Sequence, residues 1–310
     1  MAILGTEARW KAALITGASS GIGKAGALAL ASAGYRVIGT SRHATTGEWR
    51  DGIRMISCDV TSDESVAAAV ALAHAELGHI DLLVNNAGFG VTGAAEESSI
   101  TQVRSLFETN FHGVVRVTNA VLPIMRGQGG GRILNVGSGL GLIPAPFSAY
   151  YSATKHAIEG YSETLDHEVR EFGVRVAVIE PAATRTSFEA STAPSDTPIA
   201  AYDASRAKYL VAYERAMSAA DTAESVAETI VRAARDKTPR LRYPSGKAAR
   251  QVAFARRFVP RPCSTRCCAR NSDWRSRPVC RVAHKERAAP PDSVPLSLRI
   301  AVQSEQRSKP

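Results

Sequence analysis

The chain has 310 residues, of which 45% are hydrophobic and 22% charged, enough for one large domain or two small ones with a full buried core. It holds no apolar run of about 18 residues, so no membrane span is expected. The formal charge of +9 invites a nucleic-acid partner, but residues 240–310 carry 17 Lys/Arg against 4 Asp/Glu, while residues 1–239 carry 21 against 25; the body is mildly acidic and no nucleic acid is expected to bind it.

The chain opens on "MAILGTEARWKAALITG", whose apolar part is too short and whose flank is too polar for a secretory leader; the cytoplasm is the expected compartment. From residue 11 to 180 one theme recurs: a short apolar run, a loop, then an Ala-rich amphipathic stretch. The apolar runs fall at 12–15, 36–39, 53–57, 82–84, 132–136 and 174–179, and helices are predicted between them at about 22–33, 63–77, 101–125 and 150–172. Alternation at this spacing predicts βαβ units around a parallel sheet. The runs are apolar on both faces, as strands must be when helices cover both sides. The only cysteine of this body is Cys58, which suits a reducing compartment.

After Glu180 the pattern loosens. Residues 181–203 are rich in Ala, Ser, Thr and Pro and read as a long loop; helices are predicted at about 204–219 and 222–235, with "RLRY" at 240–243 as a last strand. Beyond Val259 the apolar periodicity stops, and seven of the 15 prolines fall within 260–310. Two regions follow: a folded domain at 1–259, which includes a substrate loop at 186–220, and a basic Pro/Arg/Cys-rich tail at 260–310 that reads as disordered.

Three stretches carry chemistry. In "LITGASSGIGKAGALAL" the glycines Gly17, Gly21 and Gly23 give the spacing TGxxxGxG. Such glycines allow a tight turn and close approach of backbone N–H groups to a pyrophosphate, and the helix that follows presents its positive end to the anion. A Gly-rich turn is also compatible with a purely structural role; the strand before it and the helix after it supply the context of a dinucleotide site. In "SAYYSATKHA", Tyr151 and Lys155 are four apart and share a helix face, whereas Tyr150 is five from the lysine and reads as a packing or pocket residue.

This spacing, with "NNAG" at 85–88 and the Tyr-x-x-x-Lys pair, resembles the short-chain dehydrogenase/reductase family over roughly residues 10–245. The resemblance implies a Rossmann-type α/β fold, a single doubly wound parallel sheet with helices on both faces. It implies that Gly17, Ser19, Gly21, Ile22 and Gly23 line the diphosphate and adenosine, that Asp59 accepts a hydrogen bond from the adenine amine, and that Asn86, Ala87 and Gly88 close the central strand beneath the cofactor. "PAATRTSF" matches the family's Pro-Gly-x-x-x-Thr segment, with Pro181 and Thr186 near the nicotinamide and Ala182 in place of the usual glycine. Asp59 as a strand-end cap and Arg42 as a solvated charge remain alternatives to their cofactor roles. Members commonly pair helices into homodimers or homotetramers, which this sequence leaves open.

At the end of the second strand, "VIGTSRH" offers Ser41 and Arg42 but no Asp or Glu. A carboxylate there would hold a ribose 2′-hydroxyl, whereas a guanidinium suits a 2′-phosphate, so NADP(H) is expected over NAD(H), with Lys24 adding positive potential. Asn110, Ser138, Tyr151 and Lys155 reproduce the family's catalytic tetrad. A phenol is a poor base at neutral pH; the Lys155 ammonium and the positively charged oxidised nicotinamide together are expected to bring Tyr151 towards the working range. Lys155 would also hold the nicotinamide ribose, Ser138 would donate to the substrate oxygen, and Asn110 would hold a relay water.

The pocket wall is expected from Leu140, Leu142, Ile143, Pro144 and Phe147, with Phe188 and part of 190–219 as a lid, suiting a hydrophobic secondary alcohol or ketone. The segments "GYRVIGTSRH", "NNAGFGVTGAAEESSI" and "IEPAATRTSF" are most similar to the branch of 17β-hydroxysteroid and retinol dehydrogenases. The competing reading is a non-catalytic dinucleotide-sensing protein on the same scaffold, against which the intact tetrad argues. No metal site is expected in the body. In the tail, Cys263, Cys267, Cys280 and His284 have an unusual spacing for zinc, and "RPCSTRCCARNSDWR" back-translates so that a neighbouring frame reads as an amphipathic helix, which raises a frameshift as the tail's origin.

Overall fold

The structure, a computed structural model, describes residues 10–258; the expectations for the tail at 260–310 lie outside them. In chain order the strands are β1 (Lys11–Thr16), β2 (Tyr35–Ser41), β3 (Trp49–Arg50), β4 (Ile53–Ser57), β5 (Leu82–Asn85), β6 (Gly90–Thr92), β7 (Gly131–Val136), β8 (Val174–Pro181), β9 (Thr184–Arg185), β10 (Thr192–Pro194), β11 (Asp221–Thr222) and β12 (Arg242–Ser245). The α-helices are α1 (Gly21–Ser32), α2 (Asp63–Leu77), α3 (Ile100–Phe107), α4 (Gly113–Gly127), α5 (Ala149–Val169), α6 (Asp203–Ser218), α7 (Ala223–Arg235) and α8 (Gly246–Phe258). Eight strands form one sheet in the order β12-β8-β7-β5-β1-β2-β4-β3, parallel except for the β3–β4 edge pair.

Strand alternation divides the core in two. On β1, Ala12 and Leu14 face α2, α4 and α5, where they meet Val66, Val70, Val121 and Leu165. Ala13 and Ile15 face the other way and pack with Leu30 of α1 and Val226 and Ile230 of α7. Burying one such leucine or isoleucine contributes about 1.5–3 kcal/mol, so both helical layers are held through one set of central strands. The chain runs from β1 outward to β2 and β4, then crosses back to β5 on the other side of β1. The strand order therefore reverses between β1 and β5, and a crevice opens there at the carboxyl ends.

Every apolar run read from the sequence is a strand of this sheet, and the fold class is the expected one. Two elements differ. The helix predicted at about 101–125 is broken into α3 and α4 by a π-helical turn at Glu108–His112, and the last strand begins at Arg242. The stretch read as loop at 181–203 carries β9 and β10, each too short to have a period of its own.

Candidate active site

The crevice at the switch point holds a cavity of about 370 Å³. Gly17, Ser19, Gly21, Ile22, Ser41, Arg42, Asp59, Asn86, Ala87, Gly88 and Thr186 line it, which gathers eleven of the residues singled out above. Gly17 and Gly21 have φ of +65° and +52°, the left-handed region that favours glycine. Gly23 lies beneath the loop instead of lining it: a Cβ there would stand 2.1 Å from the Gly17 carbonyl oxygen. Pro181 also stands off the cavity, buried at the end of β8 and paired with Ser245.

Ser62, Ser99 and Thr222 cap α2, α3 and α7 with their side-chain oxygens, but Ser20, like Ser148 before α5, makes no such bond, and the first turn of α1 has no acidic residue. Its leading N–H groups are left without a side-chain acceptor, and the helix dipole is uncompensated. That arrangement, over glycines with no side chains in the way, fits the diphosphate of a dinucleotide.

Asn86 ties the two lips of the crevice together. Its Nδ2 donates to the Thr16 and Gly17 carbonyls at 3.0 and 3.1 Å, while Thr16 Oγ1 accepts from Asn86 N and Ala87 N at 3.0 and 3.1 Å. Thr16 was not singled out from the sequence, although the Thr-Gly pair that opens the motif was its signal. Asp59 uses Oδ1 to accept from Thr61 N at 2.9 Å and Thr61 Oγ1 at 2.8 Å, so it caps its strand end and lines the cavity at once. The Thr61 N–H bond, with Arg42 contributing, holds its carboxyl below the usual carboxylate range. Arg42 and His43 are exposed on the rim. Lys24 does not line the cavity; its ammonium pairs with Asp51 at 2.6 Å.

Beyond Phe188, whose ring lies 5.7 Å from that of Tyr151, come the four candidate catalytic residues. Ser138 follows β7; its Oγ accepts from Leu140 N at 3.1 Å and its hydroxyl acts to lower the Tyr151 phenol. Lys155 is buried, with Nζ 5.6 Å from the Tyr151 ring centre and donating to the Val136 carbonyl at 2.8 Å. Asn110 sits in the π-helical turn, 1% exposed. Its side chain is fully engaged, accepting from Phe89 N at 3.0 Å and donating to Phe89 O at 2.9 Å. It therefore fixes the loop after the "NNAG" strand through its side chain. π-Turns of this kind recur at functional sites.

Burial pushes the Tyr151 phenol up to about 12, with the Ser138 hydroxyl opposing. Burial also pushes Lys155 down to about 8, opposed by the charge of Glu159. Both shifts have one cause, since a dry pocket disfavours each charged form.

Over this centre lies a lid that sequence reading only outlined. β9 pairs with β11 and β10 pairs with β6, so the 186–220 excursion is stapled near both ends. Tyr202 precedes α6, and Arg206, Tyr209 and Tyr213 follow on it at helical spacing as its half-buried face. Phe147, at φ +57°, places its ring 5.2 Å from Tyr209 and 6.5 Å from Tyr202. Tyr150 donates its hydroxyl to the Ala95 carbonyl at 2.9 Å. Leu140, Leu142 and Ile143 are half-buried in the turn after Ser138, and Pro144 is exposed. Glu97, fully buried, accepts from Ala94 N and Ile199 N, each at 2.7 Å, and pairs with Arg206. Nothing in the sequence pattern marked Glu97, because two of its partners, Ile199 and Arg206, lie about 100 residues away.

Among the described residues no helix is long and apolar enough to cross a membrane, and no group of three His, Cys, Asp or Glu could hold a metal ion.

A doubly wound sheet with an uncapped, Gly-rich helix start at its switch point has the form of a dinucleotide-binding oxidoreductase. Residues 11–196 match the short chain dehydrogenase family, and the chain belongs to that family. It is 43% identical over 175 residues to a 3-ketodihydrosphingosine reductase of Bacteroides thetaiotaomicron, a match spanning 56% of this chain and 64% of that protein. It is 35% identical over 268 residues to the oxidoreductase YusZ of Bacillus subtilis, covering 81% and 94%. A short-chain dehydrogenase from Streptomyces avermitilis superposes with a TM-score of 0.72 at 34% identity, covering 86% of this chain and 99% of that one. Among more distant structures, ElxO was solved with NADP (26% identity, TM-score 0.62, covering 74% and 93%). A 3-ketoacyl-(acyl-carrier-protein) reductase of Brucella melitensis was solved with NADH (25%, 0.61, covering 75% and 96%).

Proposed function

We propose that the chain interconverts a hydrophobic secondary alcohol and its ketone with NADP(H), Tyr151 serving as the acid or base. The observation that carries this reading is the Tyr151 phenol itself, buried and under the influence of the Ser138 hydroxyl, one helical turn from Lys155, and joined through Phe188 to the cavity above the start of α1. The nicotinamide, when bound, supplies or accepts the hydride. Gly17, Ser19, Gly21, Ile22 and Thr186 hold its diphosphate side, and Gly23 and Pro181 support that cradle from behind. Asp59 takes the adenine end, with Asn86, Ala87 and Gly88 under the ring system.

Ser41 and Arg42 favour the 2′-phosphate form, since the end of β2 offers a hydroxyl and a guanidinium and no carboxylate. With its phenol up at about 12, Tyr151 is neutral at physiological pH and stands ready to give a proton to a substrate oxygen as negative charge develops there. Ser138 donates a second hydrogen bond to the same oxygen. Lys155, held against Val136 O, keeps positive charge behind the phenol, and Asn110 fixes the adjoining loop. The aromatic wall of Phe147, Phe188, Tyr209 and Tyr213 excludes water from the reacting pair. A substrate with the alcohol or ketone next to a flat or extended apolar body suits that wall. The reductase relative from Bacteroides, named for a ketone substrate, is consistent with such chemistry. The sensing alternative has no observation in its favour.

A fluorescence titration of the purified chain with NADPH and, separately, NADH tests the cofactor assignment; equal affinities would remove the preference for NADP(H). For the chemistry, Tyr151→Phe is expected to leave NADPH binding nearly unchanged while turnover of hydrophobic ketones falls at least about 100-fold. Retained turnover in that variant would exclude the mechanism.

A further inference from the structure

Behind Lys155 lies a set of charges that the chemistry above does not use. Glu159, one turn further along α5 on the same face as Lys155, is 6% exposed. Its Oε2 accepts from Arg242 Nε of β12 at 2.9 Å, and Nη2 of that guanidinium donates to Glu163 at 3.0 Å. Glu180, at the end of β8 and 1% exposed, stands 3.6 Å from Arg242 Nε. Neither oxygen of Glu180 has a hydrogen-bond partner, and Glu159 Oε1 has none. One guanidinium is thus shared among three carboxylates, two of them out of water. Isolated buried carboxylates give up their charge unless paired.

The backbone joins this cluster to the catalytic lysine. Val136 O accepts from Lys155 Nζ at 2.8 Å, and a Cβ on the next residue, Gly137, would stand 3.2 Å from Glu159 Oε1. A Cβ on Gly141 would stand 3.0 Å from Lys155 O and 3.4 Å from Glu159 Cγ. The ammonium and the carboxylate therefore flank the same end of β7, and the glycines there leave room for both.

We propose that Glu159 is a positioning residue for Lys155: held by Arg242, its carboxylate is the counter-charge that keeps the buried ammonium charged, while Glu180 carries a proton and so leaves the guanidinium to Glu159. Glu180 fits that part, because burial, with the charge of Glu159 adding and Arg242 opposing, holds its carboxyl up at about 8. The other ionisable groups facing Glu159 are His156 and Glu163 on α5, Glu180 on β8 and Arg242 on β12. Tyr151 lies beyond Lys155. The end of β7 and the Gly139–Gly141 turn bring no ionisable group, and on α8 Lys247 and Arg250 are exposed.

The assignment rests on Lys155 belonging to the catalytic centre, but its test reads the ammonium directly and does not depend on turnover. In the full chain labelled with ¹³C,¹⁵N-lysine, the Lys155 side-chain resonance, identified by its loss in Lys155→Arg, is titrated by NMR. The wild-type midpoint is expected near pH 8, and Glu159→Gln is expected to lower it by roughly one unit or more. Glu159→Asp, which keeps the charge, recovers part of the fall. Glu180→Gln, which copies the protonated form, moves the midpoint less than Glu159→Gln does. An unchanged midpoint in folded Glu159→Gln, or a larger fall in Glu180→Gln, overturns the proposal. Should Glu159→Gln not fold, Glu159→Met, of similar volume and without a buried polar atom, is expected to give the same fall, and an unchanged midpoint there overturns the proposal equally.

Discussion

At Gly23 the smallest side chain is already too large. A methyl group would press on the Gly17 carbonyl at 2.1 Å and on Asn86 Nδ2 at 2.4 Å, and both are fixed, one as backbone and the other by its bonds to β1. Gly23→Ala is therefore expected to cost about 1–3 kcal/mol and to weaken NADPH binding as well, since relief requires moving the phosphate turn; thermal unfolding with and without NADPH reads both effects. Asp166 shows the opposite case, a buried carboxylate fully paired. Burial raises its carboxyl, but bonds from Arg175 at 2.8 and 3.0 Å, Val176 N at 2.9 Å and Arg170 at 2.6 Å outweigh that and hold it down at about 2. With the folded value depressed, this stabilisation is fully present above the unfolded value near 4 and is lost as pH falls from about 4 towards 2. Asp166→Asn should lose about 2 kcal/mol at pH 7. In urea unfolding the gap between variant and wild type should close as the pH is lowered through that window.

The 186–220 excursion lies beside the candidate site through Phe188. Two short parallel pairs close its ends, and the Glu97–Arg206 pair fastens α6 from below. Removing the cation leaves a fully buried carboxylate with backbone donors only, so Arg206→Ala is expected to loosen 192–218. Faster limited proteolysis within that segment, with a higher KM and a kcat little changed, is the outcome that checks it. How far each element could be read beforehand follows from how local its causes are. β1 and α1 announce themselves through apolar periodicity and glycine spacing inside one short window, as do Tyr151 and Lys155 through a four-residue step. The π-turn at Asn110 could not be read, because its one extra residue is hidden in a continuous helical pattern. β9, β10 and Glu97 owe their places to partners far along the chain. The burial of Tyr151 is likewise not local: sequence places a lysine one turn away but does not say how dry the pocket is.

For the whole molecule, the two cores share six strands, β1, β2, β4, β5, β7 and β8, each sending alternate side chains to one layer and to the other. The described residues end with α8 packed on β12 and on the turn after Ser138, so the sheet, both cores and all the candidate site lie within 10–258. A chain ending at Pro260 is accordingly expected to keep its secondary structure and its NADPH affinity, as circular dichroism and fluorescence titration would read; loss of either would tie residues beyond 260 to the folded body. The sheet's two margins have a further consequence. One is β3, a two-residue strand in an antiparallel turn-back. The other is β12, which carries Pro244, a residue with no N–H to offer a neighbour. A foreign strand meets too few aligned donors and acceptors at either margin to extend the ladder. Growth into fibrils by strand addition is blunted at both ends of an otherwise long hydrophobic sheet, a protection that resides in the least conspicuous strands of the fold.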